Sequence, residues 1–167
     1  MSMEKMIKKY RKAKGFTLVE LLIVIVIIGI LAGMLMLSTG GATDSATATK
    51  IVSDMRNIKA GSVMYFLDEK VWPTSIDETF DKYMDVPLSG RKNPDKGGFE
   101  IKSGTGGTGT DKPLWIEYKD SNILTGGVKA KLKNMAGDVG LYASAAATVP
   151  ASPDYAGGDS VYMLIRH

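Results

Sequence analysis

The chain has 167 residues, contains no cysteine and carries a formal net charge of +3. Without cysteine it has no disulfide, no thiolate metal site, no cysteine nucleophile and no lipidated cysteine. The positive charge is local: residues 1–15 hold six basic side chains against Glu4, a net +5, so the rest of the chain carries −2. A nucleic-acid-binding face on the folded part is therefore not indicated, because it would require a basic patch on the domain itself.

An uncharged apolar run, LLIVIVIIGILAGMLML, occupies residues 21–37 directly after Glu20. Extended back to Phe16, it is long enough to cross a bilayer as a helix, which needs about 20 residues for ~30 Å. The basic residues all precede this run. The positive-inside rule therefore predicts that residues 1–15 stay in the cytoplasm and that the rest of the chain lies outside.

Three interpretations fit this run. A secretory signal peptide normally has a shorter apolar core, about 7–15 residues, although residues 46–48 have the pattern of a cleavage site. A plain signal anchor explains length and orientation, with Glu20 tolerated near the helix end. In the third, the chain is cut after Gly15. The new amino group of Phe16 then shares a helix face with Glu20, or pairs with the Glu20 of a neighbouring subunit.

The segment KGFTLVELLIVIVIIGILAG strongly resembles the N-terminus of type IV pilins and of the pseudopilins of type II secretion. The resemblance covers roughly residues 9–36: a basic leader, Gly15, Phe16 with Thr-Leu, Glu20 and an unbroken apolar helix. It implies that a prepilin peptidase cuts after Gly15 on the cytoplasmic face and methylates the new N-terminal Phe16. It also implies that Glu20 serves in subunit docking.

One feature departs from the resemblance. Many pilins have a proline near the position of Leu37, which loosens the helix within the fibre, and this chain has none there. Gly40 and Gly41 follow the apolar run instead, and an interior glycine costs a helix about 1 kcal/mol relative to alanine. We expect this pair to supply the weak point.

Downstream, a helical spacing of i, i+4, i+7, i+11 and i+14 continues through the segment TATKIVSDMRNIKAGSVMYFLDEK. Its members are Ile51, Met55, Ile58, Ser62 and Tyr65. Val63, Phe66 and Leu67 are expected to widen the stripe, and Val52, Arg56 and Lys59 to fall outside it. The pattern predicts one helix over residues 16–69, stopped by Trp72-Pro73, because the residue before proline resists the helical region.

The remaining sequence predicts a small sheet. A short helix is expected from Thr74 or Ser75 through Tyr83. GFEIKSG, PLWIEYKD and SVYMLIRH have the composition of strands, and TGGTGTDK that of a loop. GGVKAKLKNMAG fits a strand or a helix, and we favour a helix ending at Gly137. The sum is an α+β fold, pilin-like, in which a long N-terminal helix with a transmembrane first half packs against a small antiparallel sheet.

The predicted domain organisation follows from these elements. Residues 1–15 form a cleaved basic leader and residues 16–40 the transmembrane and assembly half of the helix. Residues 41–69 form its amphipathic half, and residues 70–167 a globular head containing the sheet.

No catalytic constellation is indicated, and no cofactor. The one histidine, His167, is C-terminal, so neither an HExxH site nor a histidine-based triad is supported. Asp154 and Asp159 are weak candidates for a calcium site, although their spacing does not match an EF-hand and a plain turn is favoured. Three aromatic residues, Trp115, Tyr142 and Tyr155, are expected to pack into the sheet or loops rather than to serve adhesion or electron transfer.

The predicted function is structural: a prepilin of a type IV pilus or pilus-like filament, anchored in the inner membrane and then assembled into a helical homo-oligomer outside. Its expected partners are the prepilin peptidase, the inner-membrane assembly machinery and the lipid bilayer. The first alternative is a pseudopilin of a type II secretion system, whose filament is periplasmic. A minor pilin with an adhesion or DNA-uptake role is a third possibility, and a membrane-anchored enzyme a fourth, without any visible catalytic set.

Overall fold

The computed structural model of the chain describes residues 15–88, 98–104, 112–146 and 148–166, with the backbone alone at residues 36–39. The predicted leader before Gly15, most of the predicted TGGTGTDK loop and His167 lie outside the described residues. Two compact units are distinguished, Met1–Thr39 and Gly40–His167. The elements, in chain order, are α1 (Leu18–Glu69), a 3-10 helix (Phe80–Tyr83), β1 (Gly98–Ser103), β2 (Leu114–Lys119), α2 (Gly126–Val139), β3 (Leu141–Tyr142) and β4 (Val161–Arg166).

The predicted α+β class is confirmed, with a four-stranded sheet in the order β1-β2-β4-β3. All three strand pairs are antiparallel. In the middle of the sheet, Ile116 of β2 lies opposite Ile101 of β1 and Met163 of β4. The C-terminal strand β4 is thus an interior strand, hydrogen-bonded on both sides.

One hydrophobic core joins the second half of α1, the sheet and α2. Its residues all belong to the unit Gly40–His167 and run from Ala48 to Ile165. The helical elements contribute Ala48, Ile51, Val52, Met55 and Ile58 from α1 and Val128, Leu132 and Ala136 from α2. The strands contribute Ile101, Leu114, Ile116, Tyr118, Leu141, Val161, Met163 and Ile165.

The predicted stripe on α1 is confirmed in its main positions, since its first four members are buried and Tyr65 is half-buried. Three subsidiary predictions are wrong. Val52 is buried, whereas Val63 and Leu67 are 40% and 61% exposed. Ile51 and Val52 lie about 100° apart around a helix. The domain therefore covers a wider arc of α1 near Val52 than the stripe alone requires, and it leaves an apolar strip exposed nearer the helix end.

The short helix after Pro73 is smaller than predicted. It is a four-residue 3-10 turn, Phe80–Tyr83. Its first amides are satisfied by Asp77, whose Oδ1 accepts from the backbone N–H groups of Thr79 and Phe80 at 3.0 Å each. The Ser75 hydroxyl donates to the Asp77 carboxylate instead of accepting from these amides. The predicted cap at Thr74 or Ser75 is therefore wrong, because the longer reach of Asp77 serves these donors.

The ambiguous segment after Gly126 is helical, as favoured, but it ends later than predicted. The α2 helix continues through Gly137 to Val139, and Gly140 takes the left-handed conformation, with φ +76°. The Gly140 N–H donates to the Ala136 carbonyl at 2.9 Å. Both glycines suit a helix end by composition, and only Gly140 has the left-handed backbone that terminates it.

The second face of the sheet is covered around Trp115, which is fully buried. Its indole N–H donates to the Ala146 carbonyl at 3.1 Å, and its ring meets Tyr142 edge-to-face at 5.1 Å. Tyr155 is also buried. The expectation that these aromatic residues pack within the fold is confirmed for Trp115 and Tyr155.

The N-terminus of α2 lies against α1. Thr125 caps α2 by accepting from the Val128 N–H, and its hydroxyl donates to the Asp44 carboxylate at 3.5 Å. A Cβ added to Gly127 would lie 1.8 Å from the carboxylate of Asp44. A negative charge is favoured beside a helix N-terminus. Gly127 therefore leaves room for a contact that stabilises the packing of the two helices.

Two helical glycines give a matched test of the packing. A Cβ at Gly61 would lie 3.0 Å from the Tyr83 carbonyl oxygen, whereas nothing lies within 4 Å of one at Gly137. We expect Gly137→Ala to stabilise the fold by about 0.5–1 kcal/mol, through the helix propensity of alanine. We expect Gly61→Ala to destabilise it by about 1 kcal/mol, because overpacking outweighs the same gain. Urea unfolding of a fragment comprising residues 40–167 measures both, and a stabilised Gly61→Ala variant would contradict the close approach.

Candidate processing and assembly site

The peptide bond between Gly15 and Phe16 lies in exposed, non-helical chain. Residues 15–17 precede α1, which begins at Leu18. Apart from its chain neighbours, no atom of the described residues lies within 4 Å of a Cβ built on Gly15, and Phe16 is 80% exposed. Proteases cleave exposed chain outside regular structure most readily. The local structure of this bond is thus suited to cleavage.

Thr17 and Glu20 form a capping box at the start of α1. The Thr17 backbone N–H donates to Glu20 Oε2 at 2.8 Å, and the Glu20 N–H donates to the Thr17 hydroxyl oxygen at 3.2 Å. The Thr17 hydroxyl also donates to Oε2, at 2.7 Å. This is the reciprocal arrangement in which two helix-start residues satisfy each other's amides. Sequence reasoning missed it, although Thr-x-x-Glu before an apolar run is its recognised pattern.

The capping box alters the expected relation between Phe16 and Glu20. Phe16 precedes the helix, so in the uncut chain the four-residue spacing does not put the two on one helix face. The two hydrogen bonds that the carboxylate accepts from Thr17 both end on Oε2. Among the described residues, no hydrogen bond to Glu20 Oε1 is found. That oxygen is therefore available for a donor from outside these contacts.

The apolar part of α1 is exposed over its whole described circumference. From Leu21 to Leu35 the large hydrophobic side chains are 43–65% exposed. An 18-residue window of α1 has a mean hydropathy of 3.0 and is not buried within the protein. By length and composition, α1 is the one helix in the described part of the chain that could cross a membrane. An apolar surface of this kind needs lipid or protein to cover it.

The two calcium candidates each have a structural partner. Asp154 Oδ1 accepts from the Ala143 N–H at 2.8 Å, which ties the loop before β4 to the end of β3. Asp159 pairs with the Lys129 ammonium of α2 at 2.6 Å. In the described residues, no group of three or more His, Cys, Asp or Glu side chains could hold a metal ion. Asp154 and Asp159 stay weak candidates for calcium, with a plain turn as the favoured interpretation.

Comparison with known proteins finds a family motif in the N-terminal part of the chain. The prokaryotic N-terminal methylation motif matches residues 10–36, which include Gly15, Phe16 and Glu20. The type II secretion system core protein G of Vibrio cholerae serotype O1 is 36% identical over 93 residues, 55% of this chain and 63% of that protein. The corresponding protein of Klebsiella michiganensis is 42% identical over 62 residues, 37% of this chain and 44% of that protein.

The chain carries the N-terminal methylation motif and is similar to type II secretion core protein G over part of its length. It spans less than two thirds of the length of these relatives. The solved structure of the major type IV pilin PilA1 from Clostridium difficile matches 76% of this chain and 99% of that one, with 17% identity and a TM-score of 0.47. In this chain, the methylation motif includes the exposed Gly15–Phe16 bond and the capping box.

The pairing of Asp159 with Lys129 predicts a pH dependence. The Lys129 hydrogen bond and charge hold the pKa of Asp159 below its ordinary value of 3.8. The folded state therefore binds that proton less readily than the unfolded state. The stabilisation is fully present above the unfolded pKa and is lost as the pH falls through the lowered folded pKa.

We accordingly expect Asp159→Asn to lower the Tm slightly at pH 7, because an exposed ion pair contributes little. The difference from the wild type should shrink below about pH 4. Thermal unfolding at several pH values measures it, with Glu78→Gln, an exposed acid outside this pair, as the control for net charge. A Tm difference that persists unchanged at acid pH would exclude the ion pair as its source.

Proposed function

We propose that the chain is a prepilin-type structural subunit, processed and then assembled into a filament. A prepilin peptidase would cut after Gly15 and methylate Phe16 on the cytoplasmic face of the inner membrane. The observation that carries this proposal is the methylation motif on an exposed, non-helical Gly15–Phe16 bond. The apolar start of α1 follows it at once.

The proposed organisation divides the chain by task. Residues 1–15 are a leader that is removed, and residues 16–40 anchor the subunit in lipid and later pack against other subunits. Residues 41–69 form the half of the helix that belongs to the head, and residues 70–167 complete the head. A structural role rather than a catalytic one is supported by the N-terminal methylation motif and by the similarity to type II secretion core protein G.

Transfer from membrane to filament is energetically mild for the apolar side chains. Lipid covers them before assembly and neighbouring apolar helices cover them afterwards, so little apolar surface is exposed to water at either stage. Glu20 behaves differently, because an unpaired acid in an apolar environment is penalised until it meets a cation. The proposed partner is the amino group of Phe16, on the same or a neighbouring subunit. Because a paired Glu20 has a lower free energy than an unpaired one, the pairing would fix the register of assembly.

Mass spectrometry of the mature protein from a membrane or sheared-surface fraction tests the processing. We expect a chain that starts at Phe16 and carries one added methyl group. A chain that starts at Met1 would be a signal-anchored domain. A start near Thr49 would make the apolar run a discarded signal peptide. Either result would exclude prepilin processing.

Three substitutions of Glu20 separate its capping role from its charge. The amide oxygen of Glu20→Gln still accepts from Thr17, whereas Glu20→Ala and Glu20→Leu remove both functions. We expect all three variants to be inserted and processed and to lose filament yield by an order of magnitude or more, because a missing partner in a buried ion pair costs about 3–5 kcal/mol. Immunoblotting of sheared filaments against total membrane protein measures this. Glu69→Gln, at the other end of α1, is the matched control, and normal yield from Glu20→Gln would show that capping alone suffices.

Between the two filament types, the relatives favour a pseudopilin. Both relatives described above are named as type II secretion core proteins, and the first match extends over 93 residues, well beyond the N-terminal motif. In this second candidate function, that of a pseudopilin, the subunit would form a periplasmic pseudopilus. A deletion strain that loses protein secretion would support the pseudopilin, whereas abundant shed filaments with normal secretion would support the pilus.

A further inference from the structure

A cavity of about 420 Å³ lies where the end of α1 meets β1, β2 and the end of β4. Its walls come from distant segments of the unit Gly40–His167: Phe66, Lys70, Trp72, Ser103, Lys112 and Arg166 are among them. The volume falls within the range of small-molecule sites, roughly 300–1,000 Å³. Leu114 of the hydrophobic core also contributes to its lining.

One wall of the cavity is a planar stack. The rings of Phe66 and Trp72 lie 4.4 Å apart between centroids and within 12° of parallel. The Arg166 guanidinium lies 5.5 Å from the centre of the Trp72 ring, and its Nη2 donates to the Lys112 carbonyl at 2.9 Å. Phe66 and Arg166 therefore hold the Trp72 ring in place, and both aromatic rings remain partly exposed in the lining of the cavity.

The charge of the cavity is opposite to that of the rest of the protein. Lys70, Lys112 and Arg166 line it, and no acidic side chain does so among the described lining residues. The chain after residue 15 carries a net −2. Basic side chains are thus concentrated at this cavity, although the net charge of the chain after residue 15 is negative. The hydroxyl groups of Thr74 and Ser103 add uncharged hydrogen-bond donors to the lining.

Lys70 is held in a strained conformation at this cavity. Its φ is +60°, the one positive value at a described residue other than glycine. A left-handed backbone is unfavourable for a residue with a side chain, and glycine usually takes this place at a helix end. The Lys70 ammonium donates to the Leu67 carbonyl. Lysine at this position places a cation at the cavity, although glycine would adopt the same backbone conformation with less strain.

We propose that this cavity binds a small aromatic anion, a planar ring carrying a carboxylate or phosphate group. The ring packs against the Phe66–Trp72 pair, and the anionic group is recognised by Lys70 and Lys112. A long polyanion is disfavoured, because the surrounding domain is negative and the cavity admits only a small molecule. The inference stands apart from filament assembly, since its residues lie outside the apolar segment.

Tryptophan fluorescence of the full chain in nonionic detergent micelles tests the site, with benzoate and phenyl phosphate as probes. The chain has two tryptophans, of which Trp115 is fully buried on the sheet, so a response reports Trp72. We expect saturable quenching by either anion, and binding at least tenfold weaker for benzamide, the neutral isostere of benzoate. Added salt should weaken the binding of the anions.

Variants assign the response to the cavity. Lys112→Gln and Lys70→Gly should each weaken binding by about tenfold, because each removes one charged contact. Lys70→Gly should also raise the Tm, since it relieves the left-handed strain. Lys133→Gln, an exposed lysine of α2 outside the cavity, is the matched control and should bind as the wild type does. Trp72→Phe should abolish the signal.

Four results would overturn the proposal. One is no saturable response up to roughly 20 mM, which would detect a Kd of millimolar order. The second is equal binding of benzamide and benzoate. The third is unchanged affinity in both lysine variants, and the last is a response that survives in Trp72→Phe. The comparison of benzoate with phenyl phosphate tells which anionic group the site prefers.

Discussion

A carboxylate in an apolar helix must find hydrogen-bond donors where water is scarce, and the start of α1 is organised around that requirement. Thr17 supplies two donors to Glu20 from one residue, and both act on the same oxygen. These bonds reduce the cost of desolvating the acid and also satisfy an amide at the helix start. They leave the charge itself uncompensated, so a cation from another group still gains by approaching Glu20.

The two units of the chain differ in whether the protein itself covers their apolar side chains. In the described part of the first unit, the large apolar side chains from Leu18 to Leu35 are exposed and need lipid or protein to cover them. The unit Gly40–His167 holds every residue of the hydrophobic core. Substitutions in the first are therefore expected to change insertion and association, and those in the core to change folding. The helix α1 belongs to both units, and its side chains change from exposed to core-facing between Leu35 and Ile51.

The parts of the fold that sequence patterns predicted are those encoded by local periodicity. The stripe from Ile51 to Tyr65 identified α1, and alternation or apolar content identified β1, β2 and β4. The two-residue strand β3 has no periodicity of its own and exists only through its pairing with β4. The end of α2 depends on which glycine, Gly137 or Gly140, takes a positive φ, and composition does not distinguish them.

The functional residues also differ in whether the sequence alone identifies them. The motif residues Gly15, Phe16 and Glu20 were identified from sequence, because they are contiguous with the apolar run. The role of Thr17 was missed although its pattern was present. The cavity beside Trp72 had no sequence signal at all, because residues more than 90 positions apart, such as Lys70 and Arg166, meet only in the folded protein. Alternation placed Trp115 on the same face of the sheet as the charged Glu117 and Lys119. Trp115 is nevertheless buried, because Tyr142 and Ala146 lie against it in the folded protein.

The place of β4 in the sheet has a consequence for biogenesis. The last described residues of the chain, Val161–Arg166, form a strand that lies between β2 and β3. Until those residues have been synthesised, β3 has no strand partner and β2 lacks one of its two neighbours. The four-stranded sheet can therefore be completed only after β4 is available. In the proposed function, the sheet of the head would be completed only once β4 had reached the outer side of the membrane.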